Sequence, residues 1–270
     1  MLQQLQGIEE WIYMNRIERA FQKGKVLIPF ITGGDPHIEV TYELIKTMAE
    51  NGADMIELGI PFSDPVAEGV AVQEADLRAL AAKTTTDSIF DMVNRLRKEI
   101  EIPIVLLTYM NPIYVYGTER FMKRCADVGV DGVMVPDVPY EEKRELENDC
   151  KENGVALISM TSLTTKDRIG MIAEEAEGYV YCISSIGELQ DVAQVKNDIV
   201  DMAQLVNAAT EIPVVVGFDG GNVENAIEIA KVSDGMVLEN GIVSLVGQYG
   251  KESAPYVADF VRRIKNGMSN

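Results

Sequence analysis

The chain has 270 residues, 47% of them hydrophobic, a formal net charge of −19 and one histidine, His37. That length and apolar content suffice for one large core. The acidity, with no Lys/Arg cluster, argues against a generic nucleic-acid surface, and the lone histidine removes most Ser-His-Asp, Cys-His and multi-His metal proposals.

A helical pattern over 8–23 leads the chain. The first apolar run, Val26–Thr32, predicts a strand and is followed by a helical pattern over 38–51. The pairs continue as Asp54–Gly59 with 87–100, Ile104–Thr108 with 118–128, Gly132–Val135 with 140–153, and Ala156–Met160 with 166–176. The last three are Tyr179–Ile183 with 198–210, Val214–Gly217 with 222–231, and Gly235–Leu238 with 252–266. Each run is near-continuously apolar, as parallel strands buried on both faces require. Eight such strand–helix pairs predict a closed (β/α)8 barrel with an extra N-terminal helix. A doubly wound open sheet is the alternative, which the regular alternation disfavours. No linker or low-complexity stretch divides the chain, so a single domain over 1–270 is expected. Gly52-Ala53-Asp54 and Gly129-Val130-Asp131 read as turns from helix end to strand, with glycine as the left-handed cap.

No apolar run reaches the roughly 18 residues that suggest a membrane span, and the first residues carry no secretory pattern. Cys125, Cys150 and Cys182 lie far apart without metal-ligand spacing. They read as free thiols of a reducing compartment, so a cytoplasmic location without membrane contact is expected.

The chemically informative segment is 54–73. Glu57 stands inside the apolar strand that begins it, and an acid there is costly without a partner or a task. The loop that follows brings Asp64 and Glu68. Two carboxylates of this kind are the raw material of general acid–base chemistry. In a barrel, chemistry sits at the C-terminal strand ends. There the chain places Gly33-Gly34-Asp35-Pro36, Tyr109-Met110-Asn111-Pro112, Pro136-Asp137-Val138-Pro139, Ser184-Ser185-Ile186-Gly187, Gly217-Phe218-Asp219-Gly220-Gly221 and Glu239-Asn240-Gly241.

Pro29-Phe30-Ile31-Thr32-Gly33-Gly34-Asp35-Pro36, Glu57-Leu58-Gly59-Ile60-Pro61-Phe62-Ser63-Asp64-Pro65, Tyr109-Met110-Asn111-Pro112 and Pro136-Asp137-Val138-Pro139 together resemble the tryptophan synthase alpha chain family. The resemblance implies a lyase of tryptophan biosynthesis. Its reaction is retro-aldol cleavage of indole-3-glycerol phosphate to indole and glyceraldehyde 3-phosphate, with no metal and no organic cofactor. A PLP-dependent beta chain is the implied partner. On this resemblance Glu57 is the acid/base residue and Glu68 the carboxylate that holds the indole N–H. Phe30, Tyr109, Asp137 and Tyr181 line the substrate, and Pro61, Asp64 and Asn111 meet the partner chain.

The chain departs from the family pattern in specific places. Glu68 stands for the family's aspartate and Val70 for a proline. After the sixth strand, Ser185, Glu188, Leu189 and Gln190 replace the arginine, valine, threonine and final glycine of the phosphate loop. Asp219 and Glu239 replace glycines, and Asn240 a serine, at the last two strand ends. At about 5 Å and an effective dielectric near 20, a carboxylate would oppose a phosphate charge by about 3 kcal/mol. Weak phosphate binding is therefore expected. Three functions stay open: the family's lyase, a barrel enzyme on a non-phosphorylated substrate, and a non-catalytic chain that binds a partner.

Overall fold

Strands that are apolar on both faces need cover on both sides, and a closed barrel ringed by helices supplies it. The structure, a computed structural model, describes residues 14–162, 164, 166–183, 192–218 and 222–268. In chain order the first half holds α1 (Arg16–Phe21), β1 (Val26–Thr32), α2 (Ile38–Glu50), β2 (Ile56–Gly59), α3 (Val70–Ala81), α4 (Thr86–Leu96), β3 (Ile104–Leu107), α5 (Met110–Tyr116), α6 (Thr118–Val128) and β4 (Gly132–Met134). The second half holds α7 (Arg144–Asn153), β5 (Ala156–Leu157), β6 (Ser159–Ser162), α8 (Lys166–Glu174), β7 (Val180–Ile183), α9 (Val192–Asn207), β8 (Val214–Phe218), α10 (Val223–Ala230), β9 (Gly235–Leu238), α11 (Asn240–Tyr249) and α12 (Ala254–Met268).

The strands form one parallel sheet in the order β5-β4-β3-β2-β1-β9-β8-β7-β6. β5 and β6 are one run interrupted at Ile158, whose N–H still bonds Val133 O at 2.9 Å. β5 pairs with β4 and β6 with β7, so this run closes the ring and the nine segments fill eight barrel positions.

Alternation along the strands sorts the core into two shells. Leu27, Ile31, Ile56, Leu58, Val133 and Val216 face the helices in the larger cluster. Ile28, Phe30, Val105, Met134, Tyr181 and Val237 fill the smaller cluster inside the barrel.

The N-terminal floor is tied by carboxylates. Asp54 Oδ2 accepts from Leu27 N at 2.8 Å, Asp131 Oδ2 from Ile104 N at 2.8 Å and Asp234 Oδ2 from Val214 N at 2.8 Å. Each acid begins or precedes one strand and caps the open N–H of its neighbour. Asp131 also receives Arg97 at 2.6 Å and Arg16 at 3.0 Å. Gly52 and Gly129, at φ of 107° and 84°, make the turns that aim the first two acids.

Several boundaries differ from the pattern reading. The leading helix is described only as Arg16–Phe21; the rest of 8–13 lies outside the described residues. β2 starts at Ile56, since Asp54 turns its side chain to β1 instead of joining the ladder. The 87–100 helix ends at Leu96, and the 198–210 helix runs Val192–Asn207. Helices α3, α5 and α11 answer to no predicted element. α3 and α5 expose Val70, Leu77, Tyr114 and Val115 while α3 buries Asp76, so the apolar stripe that marks a surface helix is broken.

Asp131→Ala should be among the most damaging floor substitutions. Arg97 and Asp131 side chains are 10% and 9% exposed, and a broken buried pair costs about 3–5 kcal/mol. Urea denaturation should show a lower midpoint with an unchanged m-value.

Candidate active site

β2 carries Glu57 on the inner face of the barrel, level with Phe30 on β1 and Val105 on β3. It is 0% exposed, and neither carboxylate oxygen has a hydrogen-bond partner among the described residues. Burial, then the charge of Glu239, then that of Glu68, hold its carboxyl well above the usual carboxylate range. Gly59 two residues on leaves room for Phe30: a Cβ there would stand 2.8 Å from the ring.

Tyr181 on β7 and Tyr179 just before it lie in the inner cluster of the barrel. Tyr179 is fully buried and its hydroxyl has no partner among the described residues. Burial and the charge of Glu57 raise its pKa well above the ordinary value. Tyr181 donates to Glu239 Oε1 at 2.6 Å. Gly217 makes this possible, because a Cβ there would lie 2.2 Å from the Tyr181 hydroxyl.

The β2–α3 loop roofs the mouth. Tyr109 donates to Glu68 Oε1 at 2.9 Å and accepts from Ala67 N at 3.2 Å, so one phenol fixes both the loop backbone and its acid. Burial pushes the Glu68 carboxyl up to about 7; the Tyr109 bond opposes the rise and Asp76 adds to it. The Phe62 ring lies 5.3 Å from that of Tyr109. Beneath the loop, Asp76 on α3 is also raised to about 7, first by burial, against a bond from the Phe62 backbone, with Asp35 adding to it. Asp35 is clamped by Arg78 at 2.7 and 2.8 Å.

The expected site residues thus separate. Glu57, Phe30, Tyr109 and Tyr181 are buried around one interior, with half-buried Glu68 at its lid. Asp137 is exposed and accepts from Met110 N at 2.9 Å, which fixes the start of α5. Glu239 turns into the barrel toward Tyr181 instead of outward. Asn240 opens α11 beside Gly69. Gln190 and Asp219 lie outside the described residues. At the expected partner face Asp64 and Asn111 are exposed, but Pro61 is buried, because the ladder runs on through Ile60 N to Leu107 O. Sequence reasoning missed Tyr179 and Asp76. The i, i+2 spacing of Tyr179 and Tyr181 was the available sign that both face inward.

The arrangement combines a buried acid without a hydrogen-bond partner among the described residues, a second carboxyl whose pKa is raised to about 7, and the aromatic side chains Phe30, Tyr109 and Tyr181. It suits moving a proton to and from a flat apolar substrate.

Comparison with known proteins agrees with this geometry. The family model described as "Tryptophan synthase alpha chain" matches residues 18–268. The tryptophan synthase alpha chain of Halalkalibacterium halodurans is 42% identical over 241 residues, covering 88% of this chain and 91% of that relative. The one from Lacticaseibacillus casei is 37% identical over 252 residues, covering 93% and 95%. The crystal structure of the Legionella pneumophila alpha subunit superposes with a TM-score of 0.86 at 31% identity over 95% of this chain and 99% of that one. A chain of the Pyrococcus furiosus tryptophan synthase α2β2 complex gives a TM-score of 0.79 at 30% identity, over 89% and 98%.

The raised Asp76 has a signed consequence. A carboxyl whose folded pKa exceeds its unfolded value weakens the fold as pH rises through the interval from the ordinary value, 3.8, to about 7. Asp76→Asn should therefore raise the melting temperature at pH 8 by roughly 2–4 °C, the shift that 1 kcal/mol gives at about this size. At pH 3, where both states of Asp76 are protonated, it should change little. Calorimetry at the two pH values checks this.

Proposed function

The chain belongs to the tryptophan synthase alpha chain family, and on that premise we propose that it is a lyase cleaving indole-3-glycerol phosphate to indole and glyceraldehyde 3-phosphate. We take residues 1–270 as one catalytic barrel domain acting without metal or organic cofactor. The observation that carries the reading is Glu57, a fully buried carboxyl with no hydrogen-bond partner among the described residues, inside the barrel beneath the mouth.

Glu57 begins as the acid and gives its proton to the indole ring carbon that bears the side chain. Positive charge then develops at the ring nitrogen, and Glu68 as the anion stabilises it across the N–H. The carbon–carbon bond breaks, its electrons return to the ring, and the neighbouring hydroxyl becomes a carbonyl. Glu57, now a carboxylate, takes the hydroxyl proton, so the enzyme returns to its starting state. Phe30 and Tyr181 wall the flat ring, and Tyr109 aims Glu68. Asp137 acts through Met110 by shaping the mouth's edge.

The phosphate grip is the altered part. The opening N–H groups of α11 lack partners within the helix, but Glu239 stands at its N-cap and Asn240 begins it. We expect the anion to be held weakly. That carboxylate favours a second reading, in which the substrate has an indole-glycerol frame without phosphate.

A PLP-dependent beta-type chain is the proposed partner. Val66, Val70, Tyr114 and Val115, 71–79% exposed, form apolar ground on the mouth's loops and helices, with Asp64 and Asn111 also exposed there. A beta chain docked there would take up indole at its point of release.

Indole release should be measured with and without a beta chain. Cleavage of indole-3-glycerol phosphate supports the proposal; cleavage of the dephosphorylated compound alone selects the second reading; neither activity overturns both. Glu57→Gln should lower kcat by about 10²–10⁴-fold. Activity should rise with pH through about 7, as Glu68 ionises, and fall again where Glu57 loses its proton.

Glycerol phosphate should bind more weakly than about 1 mM, or about −4 kcal/mol. Calorimetric titration at low salt tests this, and micromolar affinity would contradict the altered grip.

A further inference from the structure

We propose that Glu239 is a positioning residue: its carboxylate, anchored by Tyr181, is the fixed anion of the barrel interior and holds Glu57 in the acid form that starts the reaction. The inference rests on the reading of Glu57 as the catalytic acid.

The strands place the two acids together. Phe30 is level with Glu57 on β2, and Pro29 with Leu238 on β9, so Phe30 is followed round the barrel by Glu57 on one side and Glu239 on the other. Their Cα atoms stand about two strand spacings apart, roughly 10 Å. Both side chains enter the interior, Glu57 from the inner face of β2 and Glu239 to reach Tyr181.

Their surroundings differ in kind. Glu239 receives the Tyr181 hydroxyl at 2.6 Å, the length of a bond from O–H to an anion. Glu57 receives no donor at either oxygen among the described residues. Where two carboxyls share a poorly solvated space, one charge is favoured over two, and the group with a donor carries it. Glu239 is therefore the anion and Glu57 the acid.

The other groups acting at Glu57 reinforce that order. Tyr181 on β7 and Tyr179 just before it are phenols whose pKa values are raised well above the ordinary value. Glu68, from the β2–α3 loop, adds a second anionic influence and is itself tied to Tyr109 after β3. Asp219, on the strand end next to β9, lies outside the described residues. The charge of Glu239 ranks after burial, and ahead of Glu68, among the causes that raise Glu57.

Infrared titration of the full chain tests this without requiring turnover. A protonated buried carboxyl gives its own C=O stretch, and Glu57→Gln identifies the Glu57 band by removing it. In the unaltered protein the band should persist at neutral pH. Glu239→Gln keeps a carbonyl acceptor for Tyr181 but removes the charge. The midpoint at which the Glu57 band disappears should then fall by at least one pH unit, a tenfold change in proton affinity. Tyr181→Phe provides an independent arm: Glu239 loses its donor and competes for the proton, so the Glu57 band should also weaken at neutral pH. A Glu57 band absent at neutral pH, or a midpoint unmoved in both variants, would overturn the proposal. Where the protein turns over substrate, the alkaline limb of kcat/KM should move with the band in Glu239→Gln. Absence of turnover would count against the lyase reading alone.

Discussion

The structure turns on one unfavourable burial. Glu57 puts a carboxyl inside a closed apolar wall, with no partner for either oxygen among the described residues. Desolvation makes its ionised form costly and holds its pKa well above the usual carboxylate range. The surrounding features follow from accommodating that acid. The inner face beside it carries rings and glycines: Phe30 fits over Gly59, and the Tyr181 hydroxyl occupies space left by Gly217. Two further acids are held at its edge by phenols, Glu68 by Tyr109 and Glu239 by Tyr181. Such phenols supply donors without bringing a compensating positive charge, which would ionise the central acid.

Opposite the mouth, charge has another use. Asp54, Asp131 and Asp234 spend their oxygens on backbone N–H groups of neighbouring strands, and Arg97 and Lys265 close two of these sites. The barrel thus keeps paired acids at its floor, while the acid inside it, Glu57, has no partner among the described residues. This division separates the residues that hold the ring from those that face a substrate.

Much of this was legible in the sequence. Apolar runs such as Ile104–Leu107 and Val214–Phe218 are buried on both faces and had to be parallel strands. Glu57 stood out because an acid in such a run has few bland explanations. The hidden parts have physical reasons. α3 and α5 turn apolar residues outward, so periodicity could not separate core from surface. The break at Ile158 depends on which neighbour each half of the run pairs with, which is a property of the closed ring. The side-chain direction of Glu239 depends on the cavity that Gly217 leaves under β8, far away in sequence.

That break has a mechanical meaning. Below Ile158 the closing run is zipped to β4, while above it the ladder belongs to β7. Among the described residues the ladder partner of the closing run thus changes at Ile158, from β4 near the floor to β7 near the rim. A mainly apolar cavity of about 260 Å³ lies there, touched by Val135, Met160 and Ile183. Because the two halves of the run answer to different neighbours, a change in β5 acts first on β4 and a change in β6 on β7. The closing run thus works as a clasp, one half fastened to each side of the ring.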